Sequence, residues 1–436
     1  MPNATQPENL EQALTALSAL HPKKIDLGLD RILRVLKRLG NPHLKLPPSV
    51  HIAGTNGKGS TIAMLRAMAE AEGLKVHVYT SPHLVRFNER IVLAGEEIED
   101  AYLVDVIARV RAANDGAPLS FFEATTAAMF LTFSETPADL AIIEVGLGGR
   151  YDATNVFDPA LCGISPVDYD HAEFLGRDLA GIAREKAGII KRHAPVYIGV
   201  QPDIARAILD NEAQKNRAPA QFQDQDFRSY REHGRLVFEA QDALLDLPPP
   251  ALFGEHQIKN AGLSIALARH LQISEPAIKK GLKTAYWPAR LQPLTKGPLA
   301  DMVAKAGGEL WLDGGHNPHA ARAIASAMAT RDDAQARPLI LVTGILANKD
   351  IGGFLDAFEG LASALIGVGI QDHASLAPET LIEIAQGRGL VSTVADNLSD
   401  AVQRAIELGE KLKTTPPRIL ICGSLYLAGQ VLKDNS

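Results

Sequence analysis

Val50-His51-Ile52-Ala53-Gly54-Thr55-Asn56-Gly57-Lys58-Gly59-Ser60-Thr61 is the stretch whose reading decides the fold of this chain. An apolar run enters a glycine-rich turn, and the turn opens into a helix-period segment over 61–71. In such a turn backbone N–H groups converge on phosphate oxygens, the helix start adds positive potential, and Lys58 supplies a point charge. Ser60 and Thr61 bring hydroxyls close to the same anion site. The match to G-x-x-x-x-G-K-[ST] is incomplete, because Gly59 separates Lys58 from the hydroxyls and position 52 is Ile. A bare glycine turn would be only a tight turn; glycine, lysine and hydroxyls set between strand and helix predict a variant phosphate loop that binds nucleotide.

Outward from this stretch, apolar runs alternate with helical patterns, as in βαβ units around a largely parallel sheet, so the predicted class is α/β. Candidate buried strands cover 76–79, 140–145, 161–165, 196–200, 339–343, 364–370 and 418–422. Helix-period segments cover 102–113, 124–133, 260–270, 352–360 and 398–408. Residues 221–246 break the pattern and read as short strands or a hairpin ending in Leu247-Pro248-Pro249-Pro250. Three prolines between Trp287 and Pro298 mark the expected domain boundary, giving domains over 1–293 and 294–436.

The chain has 436 residues, well above the roughly 150 that serve as a prior for one domain. With 46% hydrophobic and 22% charged residues it has globular composition, which excludes a fibrous or disordered chain. Its 44 Lys and Arg against 51 Asp and Glu leave a net charge of −7, so neither nucleic acid nor an anionic membrane is an expected partner. No apolar stretch approaches the roughly 18 residues of a membrane span, and Met1 to Leu20 lacks the cationic start and apolar core of a secretory signal. Cys162 and Cys422 lie in apolar strand-like runs and read as inert core thiols. The expected setting is reducing and cytoplasmic.

Two further strand ends carry chemistry. Leu140-Ala141-Ile142-Ile143-Glu144-Val145-Gly146-Leu147-Gly148-Gly149-Arg150 places an acid near the carboxyl end of a buried strand. Ligands of α/β sheets gather at that edge, so Glu144 is a candidate Mg²⁺ ligand facing the phosphate loop. Strand 161–165 leads within a few residues to Asp170-His171. Taken alone, that pair reads as a surface loop; beside Lys58 and Glu144, His171 reads as an imidazole completing an oxygen-rich cation site.

At this point the residues resemble the dihydrofolate synthase/folylpolyglutamate synthases, within the ATP-dependent amino-acid ligases that include the Mur peptidoglycan ligases. The resemblance runs from about Lys24 to Ala428 on ordered motifs: G-T-N-G-K-G-S at 54–60, S-P-H-L at 81–84, F-N-E-R at 87–90 and F-F-E at 121–123. It continues through E-V-G-L-G-G-R-Y-D-A-T-N at 144–155, D-H at 170–171, R-E-K-A-G-I at 184–189, H-Q-I-K-N-A at 256–261, P-A-R at 288–290 and D-G-G-H-N-P at 313–318. It implies a phosphate-loop NTPase-like parallel-sheet domain followed by a smaller Rossmann-like α/β domain. The implied reaction condenses a pterin-linked carboxylate with L-glutamate at the expense of ATP, through an acyl phosphate.

The same resemblance assigns roles. Thr55, Asn56, Gly57 and Lys58 match nucleotide phosphate contacts, while Asn260, Arg290 and Asp313 match further ATP contacts. Ser81, Glu144 and His171 match Mg²⁺ ligands, and the Ser60 hydroxyl joins that set. Lys186 matches a lysine that the family carbamylates, a change that turns a cation into an anion able to hold a second Mg²⁺. Lys58, Lys186 and His316 are the expected catalytic residues. Asp26, Leu27 and Gly28 resemble the dihydropteroate-binding segment of the bifunctional bacterial enzymes, together with Ser120, Phe121, Phe122, Glu123, Asp152, Ala153 and Thr154. Without the comparison, Asp26 reads only as a helix cap. A monomer taking dihydropteroate or folate, L-glutamate and ATP is expected. Alternatives are an enzyme that only extends the glutamate chain, or a different Mur-type amino-acid ligase.

The chain also departs from the family pattern. Ile164-Ser165-Pro166-Val167 stands in place of I-T-S-I, Asp313-Gly314-Gly315-His316 in place of D-x-A-H, and Asn348-Lys349-Asp350 in place of D-K-D. None of these removes an expected phosphate or metal ligand.

Overall fold

The computed structural model describes residues 9–18, 28–331, 337–371, 374–412 and 415–435. It divides into two compact units, one of residues 1–249 and 259–285, the other of residues 250–258 and 286–436. The expected boundary at 293/294 lies a few residues beyond this division. Residues 286–293 group with the second unit because Gln292-Pro293 pairs with a strand there.

The first unit is built on an eight-stranded sheet. Its strands are β1 (Ser49–Ala53), β2 (Val76–Tyr79), β3 (Ile91–Leu93), β4 (Glu96–Glu97), β5 (Leu140–Glu144), β6 (Leu161–Ile164), β7 (Val196–Ile198) and β8 (Ala220–Phe222). In space they run β4-β3-β2-β5-β1-β6-β7-β8. From β2 to β8 every neighbouring pair is parallel, and only β3 runs the other way, antiparallel to both β2 and the edge strand β4. Strands β1, β5 and β6 are buried along their whole length. That is why they read as continuous apolar runs rather than as an alternation: helices cover both faces of a parallel sheet. β1 sits between β5 and β6, so the turns after these three strands open at one carboxyl edge.

The helix Lys58–Ala71 leaves β1 directly, and Gly281 on the helix Glu275–Thr284 packs so close that a Cβ there would lie 2.5 Å from the Met68 backbone nitrogen. The helix Phe121–Glu135 is buried almost all round, and its Phe130 and Phe133 anchor the core beside Tyr79 and Ile143. The irregular stretch expected over 221–246 forms an antiparallel meander of β9 (Phe227–Glu232), β10 (Arg235–Ala240) and β11 (Ala243–Leu247).

The second unit carries a six-stranded sheet ordered β12-β13-β17-β14-β15-β16. These are Gln292–Pro293, Glu309–Leu312, Arg418–Cys422, Leu339–Thr343, Ala362–Gly367 and Val391–Val394 in that spatial order. All pairs but β12 with β13 are parallel. Phe354, Phe358, Leu341 and Leu420 form its core. The helix expected over 352–360 is shorter, Ile351–Asp356, and the chain then turns through Gly360 at φ 70°.

Both cysteines are buried and free, on β6 and β17, and burial pushes each thiol up to about 12. At that value neither is a thiolate at neutral pH, as core thiols should be. Among the described residues no helix is long and apolar enough to cross a membrane.

Candidate active site

The site grows from the end of β1. Gly54 and Gly57 both adopt positive φ, 144° and 86°, so the chain can fold back and start the helix at Lys58. A Cβ at Gly54 would lie 1.9 Å from the Ser165 hydroxyl and 2.9 Å from its carbonyl oxygen. Gly54→Ala should therefore destabilise the protein by about 1–3 kcal/mol, because backbone on the β6 side cannot give way. A thermal melt checks this, and an unchanged melting point would mean the loop is loosely held.

The turn is also fixed from β6. The amides of Thr55 and Asn56 donate to the Pro166 carbonyl at 2.9 and 3.3 Å. The Thr55 hydroxyl donates to the Asp168 carbonyl at 2.9 Å and accepts from the Asp168 amide at 3.0 Å. The departure at Pro166 thus leaves this contact intact, since any residue supplies a carbonyl. Nothing in the sequence marked the 166–168 segment as a brace for the loop.

Lysines converge here. Lys58 donates to the carbonyls of Gly54 and Thr55 at 3.1 and 3.3 Å, and its ammonium stands 3.9 Å from a Glu144 carboxylate oxygen. The buried Lys186 amine donates to the same Gly54 carbonyl at 2.9 Å. Burial first, then the nearby Lys58 charge, pulls Lys186 down to about 7. Two lysine side chains are thus aimed at one carbonyl, beside the Glu144 and Asp170 carboxylates. Gly54, Thr55, Lys58, Val145 through Gly148, Asp170, His171 and Lys186 line a recess here.

Glu144 ends β5, buried, and accepts from the Ser81 amide at 2.9 Å. His171, in left-handed backbone at φ 52°, stands 3.9 Å from an Asp170 carboxylate oxygen. Among the described residues, no three His, Cys, Asp or Glu side chains gather into a cation site. The donor set that the sequence predicts is one carboxylate, Glu144, one imidazole, His171, and the Ser81 and Ser60 hydroxyls. That suits Mg²⁺, which takes one or two carboxylates and completes its shell with phosphate oxygens and water. An ammonium cannot ligate a metal, so Lys186 could join the set only as its neutral amine or as a carbamate.

The remaining expected residues fall into three groups. Asn260 reaches the phosphate loop: a Cβ on Gly57 would lie 2.5 Å from its side-chain oxygen. The Ser120–Glu123 segment forms a capping box at the start of the helix Phe121–Glu135, and Arg31 donates to both Glu123 oxygens at 3.1 Å. Phe121 packs edge-on against Phe87, and Phe122 lies against Tyr79 with ring centroids 6.3 Å apart. Asp152 is buried and accepts from the Leu147 amide, the Thr154 amide and the Thr154 hydroxyl, with the buried Ala153 between them. Desolvation raises its carboxyl from the usual range against the pull of those hydrogen bonds. Gly28 is described, whereas Asp26 and Leu27 lie outside the described residues.

Arg290, Asp313 and His316 lie in the second unit. Asp313 follows β13, is buried, and accepts from the amides of Leu291 and Gly315 at 2.7 and 2.6 Å. Burial raises its carboxyl, while Arg290 and those two amides oppose the shift. The His316 ring nitrogen Nδ1 lies 3.0 Å from the Gly314 carbonyl oxygen, which makes Nδ1 the protonated nitrogen.

A further contact escaped the sequence reading. Arg90 donates to His83 Nδ1 at 2.9 Å while its guanidinium lies over Phe87. Both residues sit in quoted motifs, S-P-H-L and F-N-E-R, but their pairing has no sequence signal.

Residues 52–268 match the Mur ligase middle domain and residues 300–425 the glutamate ligase domain of the Mur ligases. The chain is 35% identical over 423 residues to a folylpolyglutamate synthase of Lacticaseibacillus casei, covering 92% of each chain. It is 32% identical to a dihydrofolate synthase/folylpolyglutamate synthase of Escherichia coli, covering 99% of this chain and 96% of that one. Among solved structures, Escherichia coli FolC in complex with DHPP and ADP superposes with a TM-score of 0.87 at 30% identity, covering 98% of this chain and 97% of that one. The bifunctional enzyme of Yersinia pestis complexed with AMPPNP and Mn ion gives 0.85 at 29%, covering 99% of both.

Proposed function

The chain belongs to the Mur ligases, in the branch of the dihydrofolate synthase/folylpolyglutamate synthases, and on that premise we propose that it joins L-glutamate first to dihydropteroate and then to folates, using ATP. One observation carries this reading: Lys58, Glu144, His171 and Lys186 meet around a phosphate loop at the carboxyl edge of a parallel sheet.

The amides at the start of the helix Lys58–Ala71 and the Lys58 ammonium hold the ATP phosphates. The acceptor carboxylate attacks the γ-phosphorus, the bond to the ADP oxygen breaks, and an acyl phosphate forms. The glutamate amine then adds to the acyl carbon, loses a proton, and phosphate leaves with the former carboxylate oxygen. No protein nucleophile is required. Phosphoryl transfer responds mainly to positioning and to positive charge on the moving oxygens. Lys58 supplies one such charge from a site that the Gly54 and Thr55 carbonyls orient. Ser81, Ser60, Glu144 and His171 would hold Mg²⁺, which neutralises phosphate charge when bound. Lys186, as a carbamate, would add a second anionic ligand. Asn260, Arg290 and Asp313 contribute to ATP binding, and His316, close to Asp313 in the chain, is a catalytic residue beside Lys58 and Lys186. Gly28, Asp26, Leu27, Ser120 to Glu123 and Asp152 to Thr154 form the acceptor site. We read the enzyme as a cytoplasmic monomer; two buried free thiols suit a reducing compartment.

Mass spectrometry of products from dihydropteroate, ATP and labelled glutamate tests this. One added glutamate reports the first activity, and a ladder reports extension. Phosphate release without acceptor and glutamate would refute a ligase. The relative from Lacticaseibacillus casei, named only as a folylpolyglutamate synthase, favours a second reading in which the chain only extends folates. Inertness toward dihydropteroate with turnover of tetrahydrofolate would establish it.

A further inference from the structure

His51 lies on β1, three positions before Gly54, and is fully buried. Its Nε2 is 2.9 Å from the Thr154 hydroxyl, which is 2.5 Å from Asp152 Oδ1. The other Asp152 oxygen accepts from the Leu147 amide at 2.8 Å. The direction of each hydrogen follows from valence. A carboxylate only accepts, so the threonine's single hydroxyl proton points to Asp152. The hydroxyl oxygen then accepts from His51, which must carry its proton on Nε2. His51 Nδ1 is bare, a buried atom with no hydrogen-bond partner among the described residues. The ring is held in place by Phe157, with centroids 5.1 Å apart. Burial, and then Lys191, pulls the imidazole down to about 3, so it is neutral at any working pH.

A buried histidine that leaves one nitrogen unsatisfied costs stability, on the order of 1–3 kcal/mol for a group without its partner. What the ring gains is a chain of donors from the strand that carries the phosphate loop to Asp152, which also accepts from the Leu147 amide in the turn over 146–149. Val145, Gly146, Leu147 and Gly148 from this region line the recess beside Lys58 and Lys186. We infer that His51 is a positioning residue: through Thr154 it fixes the orientation of Asp152, and through Asp152 the turn that presents the acceptor to the phosphate loop. This rests on the proposal that residues 152–154 belong to the acceptor site.

The test is steady-state kinetics with dihydropteroate and ATP varied separately. His51→Leu keeps bulk but removes the donor, and should raise the KM for dihydropteroate about tenfold, the effect of one buried hydrogen bond. The KM for ATP should stay unchanged. His51→Gln, whose amide can donate along the same path, should recover most of the loss. Because the groups act in series, His51→Leu combined with Thr154→Val should be no worse than Thr154→Val alone. Additive losses, equal rises in both KM values, or a glutamine variant as poor as leucine would overturn the inference. Should the leucine variant fold poorly, ¹⁵N NMR of the wild-type imidazoles decides: a His51 protonated on Nδ1 refutes the chain, and an Nε2–H ring supports it. Asp152→Asn separates the two levels. If it leaves the dihydropteroate KM unchanged, the acceptor assignment fails. If it raises that KM while His51→Leu does not, only the positioning role fails.

Discussion

Lys58→Ala is expected to lower kcat by roughly a thousandfold, the scale on which one preorganised charge acts in phosphoryl transfer. The ammonium is held by the Gly54 and Thr55 carbonyls, so it costs no reorganisation when negative charge moves across the γ-phosphoryl group. Alanine removes that charge and also takes the Lys58 ammonium away from the Glu144 carboxylate, 3.9 Å from it. The fold should persist, because Lys58 opens a helix whose stability comes from its buried apolar residues, Ile62, Met64, Leu65 and Met68. Phosphate release per second, read beside circular dichroism, checks both halves. Wild-type turnover in a folded Lys58→Ala protein would remove the loop from the phosphate site.

Lys186→Ala should be as damaging to turnover, and a small carboxylate such as acetate should restore part of the activity if an anionic side chain is what the site requires. A variant that works without rescue would make Lys186 a bystander. The lysine also has a signature in stability. Burial and Lys58 bring its folded value to about 7, whereas the ordinary value is 10.5. Between those limits the unfolded chain binds the extra proton, so stability rises with pH from about 7 toward 10.5. Below 7 both states are protonated and the slope vanishes. Denaturant titrations across that window should show wild type gaining on Lys186→Met as pH increases; parallel curves would mean that the amine is solvated. The same shift leaves about half the amine neutral near pH 7, the form that can take up carbon dioxide.

Much of this was legible in the chain. The run from Val50 to Ala53 before Gly54 announced a buried strand, because apolar residues at 50, 52 and 53 place apolar side chains on both faces, as in a strand covered on both sides. The runs at 76–79, 339–343 and 418–422 are strands over those same residues. Glu144 could be placed near a strand end because it lies next to last in the run over 140–145, before the glycines begin, and strand ends at one edge are where α/β proteins bind ligands. Helix ends were less legible. The helix Phe121–Glu135 begins three residues before its expected start, because Ser120 and Glu123 cap one another, a local contact that periodicity does not register.

What the sequence determined by itself was therefore the class of fold, the phosphate loop and the residue types around it, since these depend on local patterns and short spacings. What tertiary structure alone decided was which distant groups share an environment. The pull on Lys186 toward 7 comes from burial beside Lys58, residues far apart in the chain. The brace of Thr55 by residues 166–168 and the line from His51 through Thr154 to Asp152 arise because β1 and β6 pair in parallel and the turn after β5 folds beside them. Burial and hydrogen bonding act through space, and a one-dimensional pattern cannot specify which side chain loses its water or which lone pair is left to accept.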